Sequence, residues 1–168
     1  MYFFTATINT WKNLLEKDEL KLIVIDSLNW FHQNKRAAIC GFVIMPNHIH
    51  LLWQPLQEHT EENNESAFLS FTAHQFKKHL KSRNPILLNE YLSTQNDREY
   101  HFWERRSRTI ETLSRKISEQ KLDYIHLNPC QEKWKLVEDP VDFKFSSATY
   151  YEIQLDEFKF LTHYYQFS

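Results

Sequence analysis

The chain has 168 residues, with 20 lysines and arginines against 22 aspartates and glutamates, for a formal charge of −2. That length suits one domain with a proper core, and a single glycine, Gly41, leaves no material for a phosphate-cradling loop or a dinucleotide fold. No apolar run approaches membrane-spanning length, and two cysteines without metal-like spacing, Cys40 and Cys130, fit a reduced, cytoplasmic protein rather than a disulfide framework.

In chain order, residues 2–8 alternate and are rich in aromatic and β-branched side chains, which predicts a strand. Residues 1–5 lack a charged leader and a cleavage site, so no secretory signal is expected. Residues 18–34 place Leu20, Ile23, Val24, Leu28 and Phe31 at helical spacing. Two strands follow, 36–44 and 47–54, joined at Met45-Pro46. Residues 59–65 read as a polar, acidic, mobile loop. A second helix is expected over 66–81, broken before Asn84-Pro85, with irregular chain over 87–97. Residues 100–109 read as a fourth strand carrying arginines. From Thr112 the chain is free of glycine and proline as far as Pro129, with Leu113, Ile117, Tyr124 and Asn128 on one helical stripe. That helix should stop near Asn128, because the residue before a proline is pushed out of the helical region. Beyond Pro129 the chain is aromatic and acidic and should wrap back over the core. There are no repeats, so residues 1–168 read as one domain, with a core over about 1–151 and a short acidic tail over 152–168.

Strand–helix–strand–strand–helix–strand predicts an α+β fold, a ferredoxin-like sandwich with an antiparallel sheet and helices on one face. Within it, His48 and His50 are two apart on a strand and so project from the same side. Two imidazoles placed in this way can share one divalent metal. Taken alone, such a pair is more often surface or satisfied-core histidine, by roughly two to one. Tyr124 and Asn128 are four apart, so a phenol and an amide share a helix face one turn from each other. Alone, these would read as a core tyrosine and a helix cap.

Together these segments resemble the HUH single-tyrosine transposases, in their REP-associated tyrosine transposase branch. The resemblance is carried by Gly41 to Leu52 with its Met-Pro-Asn-His-Ile-His run, by Phe102-Trp103-Glu104-Arg105-Arg106, by Tyr124-Ile125-His126-Leu127-Asn128-Pro129, and by Phe145-Ser146-Ser147-Ala148. Order and spacing match from about Tyr2 to Tyr151. What this implies is a transposase that cuts single-stranded DNA in hairpins of imperfect palindromes and rejoins it through a 5′-phosphotyrosine. Tyr124 would be the nucleophile, and His48, His50 and Asn128 the ligands of a divalent metal, Mg²⁺ or Mn²⁺. Two histidines suit Zn²⁺ or Mn²⁺ better than Mg²⁺. The wider family dimerises and exchanges the tyrosine helix while this branch includes monomers, so a monomer and a homodimer both fit. The implied setting is the bacterial cytoplasm, on the nucleoid when DNA-bound, with no membrane partner. Phe145 stands where the family usually has tryptophan, and the acidic tail offers little for extra phosphate contacts. Two alternatives stay open: another HUH endonuclease of the replication-initiator or relaxase type, and a non-catalytic hairpin-binding protein that regulates repeats.

Charge is uneven: −2 over residues 1–64, +4 over 65–121 and −4 over 122–168. The basic clusters around Lys77 and Lys78, and at Arg105, Arg106 and Arg108, are the expected footprint of a DNA backbone. Trp53, Trp103 or the Tyr150-Tyr151 pair could stack on unpaired bases, though core packing is the commoner role for each. No dedicated base accompanies Tyr124, whose unperturbed pKa would be about 10. His126, two residues away, should point to nearly the opposite side of the helix as a structural or exposed residue.

Overall fold

The computed structural model describes residues 1–56 and 59–167. Four strands, β1 (Tyr2–Thr7), β2 (Ala37–Ile44), β3 (His48–Pro55) and β4 (Arg108–Glu111), form one sheet in the order β2-β3-β1-β4, every neighbouring pair antiparallel. Helices α1 (Asp18–Gln33) and α2 (Glu61–Arg83) make the two crossovers, α3 (Pro85–Asn89) and α5 (Ala148–Glu152) are short, and α4 (Arg115–Leu127) follows β4. This is the expected ferredoxin-like order. Among the described residues, no helix is long and apolar enough to cross a membrane.

Strand alternation divides the core in two. Phe4 and Ala6 of β1, with Ile49, Leu51 and Trp53 of β3, pack under α1 and α2 through Leu20, Val24, Leu28, Phe31, Phe68 and Phe76. The intervening residues face the other way, where Phe3, Val43 and Leu52 meet Leu122 and Ile125 of α4. The expectation of helices on one face therefore holds for α1 and α2, while α4 lies across the opposite face. Each buried Leu, Ile or Phe side chain contributes roughly 1.5–3 kcal/mol of burial, so both layers are firmly held.

The outer edge of β2 is covered by the chain beyond Pro129, as expected. Ile44 N–H donates to Phe145 O, Ser147 N–H to Phe42 O and Thr162 N–H to Ile39 O, each at 2.9 Å. An open edge strand would otherwise invite pairing with another chain. Of the acidic tail, Ser168 lies outside the described residues.

Three boundaries differ from expectation. The acidic segment from Glu61 is helical, not loop: the Thr60 hydroxyl caps Asn63 N–H at 3.3 Å, and buried Asn64 donates to Arg36 O at 3.1 Å while accepting from Arg36 Nε at 3.2 Å. The fourth strand is only Arg108–Glu111. Consecutive Phe102 and Trp103 are both buried, which a regular half-exposed strand cannot arrange, and Trp103 Nε1 donates to Thr72 on α2 at 2.9 Å. Finally, α4 starts at Arg115 with Ser114 as its cap, and its buried stripe is Ser118, Leu122, Ile125 and His126, leaving Leu113 outside the helix and exposed.

Candidate active site

The sheet register builds the floor of the site. Thr5 on β1 pairs with His50 on β3 to one side and Arg108 on β4 to the other, and Thr7 pairs with His48. Residues paired across strands share a face, so the row His50–Thr5–Arg108 points to the side covered by α4. The His48 and His50 rings lie 4.8 Å apart, centroid to centroid. Both are buried, at 7% and 4% exposure.

Each imidazole has its Nδ1 occupied. Asn47 Oδ1 lies 2.8 Å from His48 Nδ1, and the same carboxamide donates from Nδ2 to Trp11 O at 3.2 Å. That second bond orients the amide, so His48 Nδ1 is the donor and its Nε2 carries the lone pair. Thr5 Oγ1 lies 2.8 Å from His50 Nδ1; in the tautomer whose Nδ1–H donates to this hydroxyl, His50 Nε2 is left as the acceptor. Burial, with the Lys133 charge adding to it and the Asn128 side chain opposing it, pulls the His48 pKa down to about 4. Burial, His48 and Lys121 pull His50 down to about 3. Both rings are neutral at pH 7, the form that binds metals.

Tyr124 comes down from α4. Its ring stands edge-on to His50 at 5.1 Å and to Phe3 at 6.0 Å, and it remains 43% exposed. It lies at the margin of the buried stripe of α4, which is why the phenol borders the cleft instead of being swallowed by the core. One turn later Asn128 closes the helix, is buried, and turns into a short 3₁₀ segment, Asn128–Cys130. These residues line a cleft of about 380 Å³, together with Arg108, Lys121, Lys133, Trp11 and Trp134.

Two polar atoms in this cleft are buried without any hydrogen-bond partner: His50 Nε2 and Asn128 Oδ1. Orphaned buried acceptors are costly and call for an explanation. A divalent cation fits: His48 and His50 would supply nitrogen, Asn128 oxygen, and solvent the rest. Among the described residues no cluster of three or more His, Cys, Asp or Glu could hold a metal. A donor set of two imidazoles and a carboxamide would be uncharged overall and would favour Mn²⁺ over Mg²⁺.

Of the other residues singled out in sequence, Arg108 reaches the cleft, and Arg105 and Arg106 line a shallow recess that shares Thr7 and Trp11 with it. Arg105 is paired with Asp97 at 3.1 Å. Lys77 and Lys78 lie on α2, in the layer behind the sheet, and Lys77 is ion-paired with Glu99. They are not brought to this cleft. Trp53 and Trp103 are core residues and so not stacking surfaces; Tyr150 and Tyr151, whose hydroxyl donates to Cys40 O at 2.6 Å, border a separate recess with Gln154 and His163 and not this cleft. His126 is structural: it is buried, its Nε2 lies 2.9 Å from Ser147 Oγ, and burial pulls its pKa down to about 4. Sequence reasoning missed Thr5, Trp11, Lys121, Lys133 and Trp134. Thr5 could have been found from its alternation with Phe3 and Thr7, and Lys121 from its place three residues before Tyr124. The other three lie in irregular chain and carry no periodic signal.

No family model matches the sequence, and no match is found among curated proteins. Among solved structures, the chain resembles a REP-associated tyrosine transposase bound to a REP hairpin, with a TM-score of 0.61 and 20% identity, over 88% of this chain and 75% of that one. It also resembles a candidate transposase from Deinococcus radiodurans R1, with a TM-score of 0.44 and 19% identity, over 74% and 86% of the two chains. The first likeness establishes a shared fold. The second is too distant to add to it.

Proposed function

We propose that the protein is a metal-dependent, transposase-like transesterase that cleaves and rejoins single-stranded or hairpin DNA through a 5′-phosphotyrosine. The observation that supports this best is the convergence of an exposed phenol, Tyr124, on two neutral imidazoles and two orphaned buried acceptors. A structural tyrosine would be buried, and a buried ring nitrogen beside a buried carboxamide oxygen, both without a partner, calls for a ligand.

In the reaction, the Tyr124 oxygen attacks phosphorus of a phosphodiester. A new P–O bond to tyrosine forms, the P–O3′ bond breaks, and the leaving 3′ oxygen takes up a proton as the phenol gives one up. Attack by a 3′-hydroxyl on the phosphotyrosine reverses these changes, so the bond energy is kept and no ATP is needed. A bound divalent ion would supply charge neutralisation at the phosphate. Arg108 and Lys121 face the same cleft and add fixed positive charge where the phosphate must lie. Phe3 and His50 pack against Tyr124 and limit the directions it can take, and the Lys121 ammonium lies 4.7 Å from the Phe3 ring centre.

The test is a denaturing gel of labelled hairpin oligonucleotides with Mn²⁺, Mg²⁺ or EDTA. Wild type should form a metal-dependent, detergent-resistant adduct. Tyr124→Phe should form none, and His48→Ala/His50→Ala should lose about 10²-fold or more in rate. Hairpin binding without any adduct would instead support a non-catalytic binding protein.

A further inference from the structure

Trp11 stands at the mouth of the cleft on a strained turn. Thr10 (φ 56°, ψ 25°) and Trp11 (φ 58°) are consecutive left-handed residues, and neither is glycine. For a β-branched threonine this is a true outlier, and such backbone is kept only where its surroundings enforce it, often at binding sites. Here they do. Thr10 N–H donates to Glu104 Oε1 at 2.6 Å, Asn9 N–H to Phe102 O at 2.7 Å, and Trp11 O accepts from Asn47 Nδ2 at 3.2 Å. Asn47 is also the residue that orients His48. One carboxamide therefore fixes the turn and the imidazole relative to each other.

The outcome of this strain is an indole that is 60% exposed. Isolated exposed aromatics are ordinary, but this one lines the same cleft as Tyr124 and the histidines. The Lys133 ammonium lies 5.6 Å from the Trp11 ring centre and 5.2 Å from that of Trp134, whose ring is 5.6 Å from His48. Lys133 thus steadies the indole and places a cation beside it. Arg105 and Arg106 line the recess that Trp11 also borders, together with Glu104, whose carboxylate is bound to Thr10 N–H. An exposed ring set among cations suits a ligand with flat aromatic faces strung on an anionic backbone, and a base offers its face only when unpaired.

We propose that Trp11 is the stacking platform for an unpaired base next to the phosphate held in the His48–His50–Tyr124 cleft, with Lys133 placed for that nucleotide's own phosphate. The proposal rests on the reading of the cleft as a DNA-cleaving site, and it adds the feature that would make the site prefer single strands to duplex.

The experiment measures binding, not cleavage. In the Tyr124→Phe background with EDTA, fluorescence anisotropy follows a labelled deoxythymidine dodecamer and an abasic dodecamer of the same length. Trp11→Ala should weaken the thymidine strand by roughly tenfold or more and leave the abasic strand unchanged, while Trp11→Phe recovers most of the loss. Equal effects on both strands, no loss on the thymidine strand, or no binding of that strand to the Tyr124→Phe protein itself would each overturn the platform. Failure of the transesterase reading shows separately: stacking with no Tyr124-dependent adduct sinks that reading and keeps the platform, and an adduct with no stacking does the reverse.

Discussion

Thr5 governs which nitrogen of His50 faces the cleft. Its hydroxyl lies 2.8 Å from His50 Nδ1, and an outer partner of this kind fixes ring orientation and tautomer. Thr5→Val keeps the shape and removes the partner. Affinity for Mn²⁺, read by titration calorimetry, should fall by about 10- to 100-fold, while the melting temperature without metal changes little. Unchanged Mn²⁺ binding would show that His50 is held by packing against Phe3, 5.3 Å away between ring centres, instead. At this scale the gathering of His48, His50, Tyr124 and Asn128 in one cleft was legible, because strand alternation places the first two and helical spacing the last two. Thr5 was not, because its partner is 45 residues away and only the pairing of β1 with β3 joins them. Trp11 was hidden more deeply, since its display depends on two left-handed residues that no pattern of residue types signals.

Helix α4 carries Tyr124, and its height above the sheet is set at Gly41. A Cβ built on Gly41 would come within 2.4 Å of Leu122 Cδ2, with Ile125 Cδ1 at 3.7 Å and Ser147 Oγ at 3.5 Å. The only glycine of the chain thus serves close approach of a helix to a strand, on β2 next to a register shift. Gly41→Ala should cost about 1–3 kcal/mol by overpacking, and Leu122→Ala about 2–5 kcal/mol by leaving a cavity. The two sites touch, so their effects should not add. In urea unfolding, the double variant should be more stable than the sum of the singles predicts, because the new methyl fills part of the void. Strict additivity would mean that α4 is not seated on Gly41. The element itself was legible, with Asn128 at its end, but its facing was not. Leu113 and Ile117 look apolar in sequence, yet Leu113 precedes the Ser114 cap, and the face that meets the sheet turns out to be Leu122 and Ile125. The start of α2 was missed for a related reason: the polar run at Glu61–Glu65 is held by Thr60 and Arg36, partners that composition does not reveal.

Across the whole molecule, the α+β class and the succession of strands and helices could be read from the sequence. The layering could not: the fourth strand was expected over 100–109 and is Arg108–Glu111, and the stripe of α4 that meets the sheet, Leu122 and Ile125, is not the one its apolar spacing suggested. With α4 on the far face, three histidines are enclosed between it and the sheet or the segment at Ser147, and burial lowers all three: His48 to about 4, His50 to about 3 and His126 to about 4. The consequence for stability has a definite sign. In the unfolded chain each titrates near 6.5 (roughly the free value), so above that pH both states are neutral and nothing is lost. As pH falls below 6.5, the unfolded chain takes up protons that the folded one refuses, and stability declines until the folded pKa values are reached near 4 and below. Each histidine contributes up to about 1.4 kcal/mol per pH unit. Urea unfolding followed from pH 7 to 5, above the range where most carboxylates titrate, should therefore show a steady loss. His48→Gln/His50→Gln should remove most of that slope, leaving the part due to His126 and to His101, which burial also shifts down. Saturating Mn²⁺ should raise stability at pH 7 and lose its effect as pH falls, since metal and protons compete for the same nitrogens. A stability that stays flat from pH 7 to 5 would mean that the rings are open to solvent, and the enclosed, neutral pair that the proposed metal-dependent reaction requires would go with it.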